Sequence, residues 1–231
     1  MDIIGKQTWR WNCMANRKQQ KGPCYKCGKE MAKGYMGRHL LAEHYDENGE
    51  QKCYLLKIED EYSNYWLFVD IPVSSSLSTL DSFLRSVWLE CCGHMSAFTY
   101  VRSYDEINMS KKIGGFAPGT VLQYEYDFGS TTTLYITFVQ NVSRQKQESA
   151  VRVMARNDPY TFECEKCGKK AILVDNSEWP AVMYCKKCAD KYIGDAGYLL
   201  PVVNSPRMGV CGYCGEHDHY EYVRPVLKSK K

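Results

Sequence analysis

With 231 residues, 44% of them hydrophobic and 13% aromatic, the chain can bury a proper core, which excludes a disordered tail. No apolar run approaches the roughly 18 residues of a membrane span, and the start MDIIGKQTWRW has no apolar leader, so a cytosolic protein without membrane contact is expected. The formal charge of +3 is unevenly placed: residues 1–38 carry nine Lys/Arg against two acids, or +7, and residues 57–110 carry three against eight, or −5. Only the amino-terminal part is therefore expected to seek polyanions. Twelve cysteines in a reducing compartment point to metal rather than to disulfides.

Residues 1–22 are basic and hold Trp9 and Trp11 close together. Cys24 and Cys27 then form a CxxC pair, eleven residues follow, and His39 and His44 come next with four residues between them. A CxxC knuckle supplies two thiolates on one side of a tetrahedron, and two histidines a helical turn apart supply the other corners. The stretch resembles a two-cysteine, two-histidine zinc finger with a spacer one residue short, which implies a ββα unit. Aligning His39 with the first finger histidine puts Ala32, Tyr35 and Arg38 at the base-reading positions, and only Arg38 suits a guanine edge. Any nucleic-acid binding is then expected to be weak and indifferent to sequence, carried to phosphates by Arg10, Arg17, Lys18, Lys21, Lys26, Lys33 and Arg38.

CYLLKIE and YWLFVDI, within residues 53–71, read as two strands closed by Pro72. A helix is expected next, capped by Ser78 with Asp81 as its partner. Leu80, Phe83, Leu84, Val87, Trp88 and Cys91 fall on one stripe, and Gly93 is placed to end it. HMSAFTYV reads as a strand and residues 103–120 as a loop. In VLQYEYDFGSTTTLYITFV, residues 121–139, Leu122, Tyr124, Tyr126 and Phe128 alternate with polar residues, Gly129 offers positive φ, and Leu134, Ile136 and Phe138 face them from a second strand. Ala150–Ala155 reads as a last strand. The pattern is α+β, a mixed or antiparallel sheet covered by an amphipathic helix.

At Asp158–Pro159 the composition shifts. Cys164 and Cys167, then seventeen residues, then Cys185 and Cys188 make a four-cysteine zinc framework. Three domains follow: residues 1–50, the basic arm and finger; 51–157, the α+β core; 158–231, the four-cysteine module and a basic tail. Two zinc ions are expected, one on Cys24, Cys27, His39 and His44, the other on Cys164, Cys167, Cys185 and Cys188. Cys211 and Cys214, with His217 and His219 nearby, read as buried structural thiols, a further shared site being the alternative.

YEYDFG, residues 124–129, resembles the YDFGD signature of the plasmid pRi open-reading-frame-three-like family. His94–Phe98 is similar to that family's histidine–hydrophobic–x–x–phenylalanine element, and NSPRMGVCGY, residues 204–213, resembles a carboxyl-terminal motif of some members. Ser130 replaces the second acid of the signature. The resemblance implies an α+β fold and a link to mobile-element or host-defence genes.

Three functions compete. The first is a non-enzymatic zinc-binding accessory protein that contacts nucleic acid, and the second an adaptor for a protein partner with purely structural zinc. The third is a metal-dependent hydrolase using Glu125, Asp127 and His94 on the polar sheet face. Against catalysis, Asp127 is expected to bind turn amides and His94 to meet helix carbonyls or fill the core.

Overall fold

Cys53–Leu56 and the whole of Trp66–Pro72 are buried residue after residue, which happens only where a strand is packed on both faces. In this computed structural model, which describes residues 20–45, 48–146, 149–177, 181–193 and 198–215, those two runs lie inside a six-stranded sheet. In chain order the strands are β1 (Lys21–Pro23), β2 (Glu30–Ala32), β3 (Gln51–Asp60), β4 (Trp66–Pro72), β5 (Ser96–Tyr100), β6 (Val121–Tyr126), β7 (Thr132–Arg144), β8 (Arg152–Arg156), β9 (Leu173–Asp175), β10 (Val182–Tyr184) and β11 (Leu199–Pro201). The helices are α1 (Lys33–Glu43), α2 (Leu77–Leu84) and α3 (Lys186–Tyr192). The large sheet has the order β5-β6-β7-β3-β4-β8 with every neighbouring pair antiparallel. β1-β2 and β10-β9-β11 form two small antiparallel sheets, so the fold is α+β.

The β6–β7 pairing sets Leu122 opposite Ile136 and Tyr124 opposite Leu134, and all four are buried. They join Tyr54, Leu56, Leu67, Val69 and Phe138 in one apolar cluster with Leu77, Leu80, Phe83 and Leu84 of α2. A second cluster uses the alternate residues, Cys53, Leu55, Trp66 and Phe68, with Met36 and Leu40 of α1. The period of two along β3 and β4 thus feeds two different cores.

Several local expectations are corrected. The helix cap is Ser76, whose Oγ accepts from the Thr79 amide at 3.3 Å, because the Ser78 amide donates to the Met109 carbonyl. Asp81 ties the helix to the sheet instead: Ser96 Oγ and the Tyr124 hydroxyl donate to it at 2.6 and 2.7 Å, and Arg85 Nε at 2.9 Å. The helix passes into a π-helical turn, Arg85–Leu89, and stops at Glu90 before Gly93. The wider turn lets Val87, Trp88 and Leu89 all be buried in succession.

In the β6–β7 turn the residue with positive φ is Asp127, at 64°, and not Gly129. Asp tolerates this region because its short carboxylate bonds locally, and the β6 alternation ends at Tyr126, leaving Phe128 exposed. The last core strand is Arg152–Arg156, starting two residues later and ending one residue later than Ala150–Ala155.

The segment holding β1, β2 and α1 is fastened to the sheet at several points. Cys24 bridges Ala155, the Tyr25 amide donates to the Met154 carbonyl at 2.8 Å, and the Asp158 amide donates to the Lys21 carbonyl at 2.8 Å. A Cβ at Gly22 would overlap the Arg156 carbonyl, so only glycine lets β1 lie this close to β8. Just after α1, the Tyr45 hydroxyl donates to buried Asp70, which also receives Arg144 and Arg152.

Candidate metal centres

Cys24 and Cys27 stand on a turn built by the backbone: the Cys24 amide donates to Lys29 O at 2.9 Å and the Gly28 amide to Cys24 O at 2.7 Å. Gly28 closes it with a φ of 72°. His39, within α1, and His44, at its C-cap, reach the same point. Cys27 Sγ lies 3.3 Å from His39 Nε2, and the two Nε2 atoms lie 3.1 Å apart. A tetrahedral zinc with bonds of about 2.3 Å to sulfur and about 2.0–2.1 Å to nitrogen has edges of about 3.8 Å (S···S), about 3.6 Å (S···N) and about 3.3 Å (N···N). The donor set therefore fits zinc. Burial lowers the pKa of both histidines, keeping the lone pairs that a metal needs at neutral pH.

The same turn recurs at Cys164 and Cys167. The Cys164 amide donates to Lys169 O at 2.7 Å, the Gly168 amide to Cys164 O at 2.8 Å, and Gly168 has a φ of 68°. CYKCGK and CEKCGK thus fold alike, since both need a left-handed glycine after the second cysteine. Cys185 is the N-cap of α3 and Cys188 lies in its first turn. Cys167 and Cys185 bring their sulfurs within 3.6 Å. Burial works against ionising Cys164, but amides from Cys185, Lys166 and Cys167 outweigh it and bring the thiol down to about 6. Burial, with the neighbouring thiols, pushes Cys188 up to about 12.

A third set was not legible as one. Cys91, Cys92, His94 and Cys211 converge, and in each of the three sets all ligand atoms lie within 4.8 Å of one another. All described cysteines are free thiols. Among the described residues, three Cys/His clusters could thus hold metal where the spacing indicated two. CCGH at residues 91–94 is a dense run of ligand types, but its fourth member is 119 residues away in sequence. Cys211 and Cys214 are exposed, which overturns their reading as buried thiols; His217 and His219 lie outside the described residues.

His94 does not fill the core. Its Nε2 is 2.9 Å from Cys92 Sγ, 3.6 Å from Cys211 Sγ and 3.5 Å from Asp127 Oδ2. Asp127 accepts the Gly129 and Ser130 amides at 3.0 and 3.2 Å and Arg207 Nη2 at 2.5 Å. Arg207 also donates to Ser130 O at 2.7 Å, so the three motif stretches around His94, Asp127 and Arg207 meet at one place. Burial raises the Asp127 pKa and the Arg207 and amide bonds lower it, with a net lowering. Glu125 accepts from Gln123 instead, and the acid–base trio of the hydrolase reading is not assembled by these contacts.

Of the phosphate-contact residues, Lys21, Lys26 and Arg38 are exposed, Arg38 lying over the Tyr35 ring at 5.6 Å. Lys33 pairs with Glu59 at 2.8 Å. Arg10, Arg17 and Lys18 lie outside the described residues, as do Trp9 and Trp11. Among the described residues no helix is long and apolar enough to cross a membrane.

No family model matches this chain, and no curated protein matches it. Among solved structures it is similar to a protein of unknown function from Methanosarcina mazei Go1, at 17% identity and a TM-score of 0.40 over 51% of this chain and 75% of that one, a likeness too slight to carry an argument.

Proposed function

We propose that this is a non-enzymatic zinc protein in which two closed centres shape a binding surface that contacts nucleic acid weakly through phosphates. The carrying observation is that Cys24, Cys27, His39 and His44, and likewise Cys164, Cys167, Cys185 and Cys188, each bring four ligand atoms within 4.8 Å of one another, the number a closed tetrahedral site takes. A zinc ion so held keeps no position for a catalytic water and organises structure instead. Residues 21–44 read as a ββα finger docked on one sheet face, with α2 as the cover of the other. Docking through Met36 and Leu40, together with the Lys33–Glu59 pair, leaves Lys21, Lys26 and Arg38 as the exposed cations of this unit's phosphate-contact set. That surface suits a phosphate backbone and offers little to base edges.

Titrating labelled duplexes of several sequences at two salt concentrations tests this reading. Binding should be similar across sequences, fall steeply with salt, and weaken uniformly in Lys21→Glu and Lys26→Glu. Tight binding to one sequence that survives about 200 mM salt would make the unit a true reader. Absence of binding at about 50 mM salt would favour the second reading, a protein-docking module. Met95 and Phe128, 73% and 54% exposed beside the Asp127–Met95 backbone hydrogen bond, support that alternative.

A further inference from the structure

We propose that Cys91, Cys92, His94 and Cys211 bind a third zinc ion, in a solvent-accessible site that clasps the 204–215 segment to the core. The donors come from two places, the end of the π-helical turn and a distant loop. They meet at distances near those of a three-sulfur, one-nitrogen tetrahedron. Cys92 and Cys211 sulfurs are 3.5 Å apart, Cys91 and Cys92 sulfurs 3.9 Å, and Cys211 Sγ is 3.6 Å from His94 Nε2, while the Cys92 Sγ–His94 Nε2 edge, at 2.9 Å, is the one that must open to admit the ion. Edges of about 3.8 Å and about 3.6 Å would suit zinc. Soft thiolates with one imidazole favour zinc over the hard cations magnesium, calcium or manganese.

The scaffold holds the two segments in register through other contacts. Ser205 Oγ donates to the Trp88 carbonyl at 2.7 Å, and Arg207 reaches Ser130, Thr132 and Asp127. Cys211 nevertheless adopts a φ of 52°, a left-handed conformation that a non-glycine residue takes at some cost. That backbone delivers its sulfur to Cys92. Three thiolates around Zn²⁺ leave a net charge of −1, and the buried Arg207 guanidinium, which pairs with Asp127, also lies 3.5 Å from Cys91 Sγ, where it can donate to that thiolate. Donor type and the convergence of the four ligands agree.

Exposure separates this site from the other two. None of the third site's ligands is buried and both Cys92 and Cys211 are exposed, whereas the other sets bury Cys24, or Cys164 and Cys188 with only Cys167 exposed, so a chelator should reach the third ion first. Native mass spectrometry of the 231-residue chain, purified with zinc under reducing conditions, should find three zinc ions. Cys92→Ser and Cys211→Ser should each retain two, and the control Cys214→Ser all three. With a chromogenic chelator, one zinc equivalent should leave in a fast phase that the Cys92→Ser/Cys211→Ser double variant lacks, while its two slow equivalents show that it is folded. A wild-type count of two, or three ions retained by the double variant, would overturn the clasp. Failure of the two closed centres reads differently, as a wild-type count below two or an absent slow phase.

Discussion

Asp127 shows how one carboxylate can serve several tasks at once. Its left-handed φ turns β6 into β7, one oxygen takes two turn amides, and the other takes the buried Arg207 guanidinium. Tyr126 lies between two cations, with Arg85 and Arg207 at 4.8 and 4.9 Å from its ring. Asp127→Asn should cost about 1.5–3 kcal/mol, the range for a lost charge-assisted bond. Asp127→Ala should cost about 3–5 kcal/mol, because it strands a buried guanidinium. Urea unfolding with an unchanged m-value measures both; a change under about 0.5 kcal/mol in either would refute this role. Glu59 offers a test in pH. Burial raises its pKa, but Lys33 and Lys57, at 2.8 and 2.6 Å, lower it by more, so the folded value lies below the ordinary 4.5. Its contribution is therefore complete above 4.5 and disappears as pH falls through the folded value. Because the side chains remain partly exposed, Glu59→Gln should destabilise by only about 0.5–1 kcal/mol at pH 7. That difference should vanish in acid, and thermal melts at pH 7 and below pH 4 would reveal a gap that instead persists.

Elements differ in how much of their geometry is local. The knuckle turns at Cys24 and Cys164 need only their own amides and one left-handed glycine, so their sequences alone specify them. A Cβ at Gly168 would meet nothing within 4 Å, so Gly168→Ala tests backbone conformation alone and should cost about 1–2 kcal/mol. Gly22→Ala should be far worse, since the clash is with the backbone of β8 and no side chain can move aside. It should free residues 20–45 from the sheet, and their amides should exchange quickly even with zinc bound. Protection equal to wild type would show that the docking tolerates the extra atom. The helix between β4 and β5 depends on context instead. Its stripe was legible, but the cap moved to Ser76 because loop 109–113 binds the backbone beside it, and the π-helical turn answers the core around Trp88.

For the whole molecule, the sheet separates two apolar clusters, and the Cys24–His44 and Cys164–Cys188 sets that could hold metal lie outside the larger of them. Chelation of the wild-type chain should therefore remove amide protection from residues 20–45 and 162–193 before strands β3, β4, β6 and β7, since a structural metal's binding energy is folding energy for its own unit. Simultaneous loss everywhere would mean that the clusters do not fold separately from the metal. The sequence by itself determined the β6–β7 pairing, because a period of two sorts Leu122, Tyr124, Leu134 and Ile136 to one face whatever lies beyond it. It also determined two Cys/His groups that could hold metal, since spacings of two to seventeen residues bring donors together through local turns. Only the tertiary structure placed α1 against Leu55 and Phe68 and gathered Cys91, Cys92 and His94 around Cys211. Those contacts join residues far apart in the chain, and no local periodicity records a meeting that the packing of the whole sheet decides.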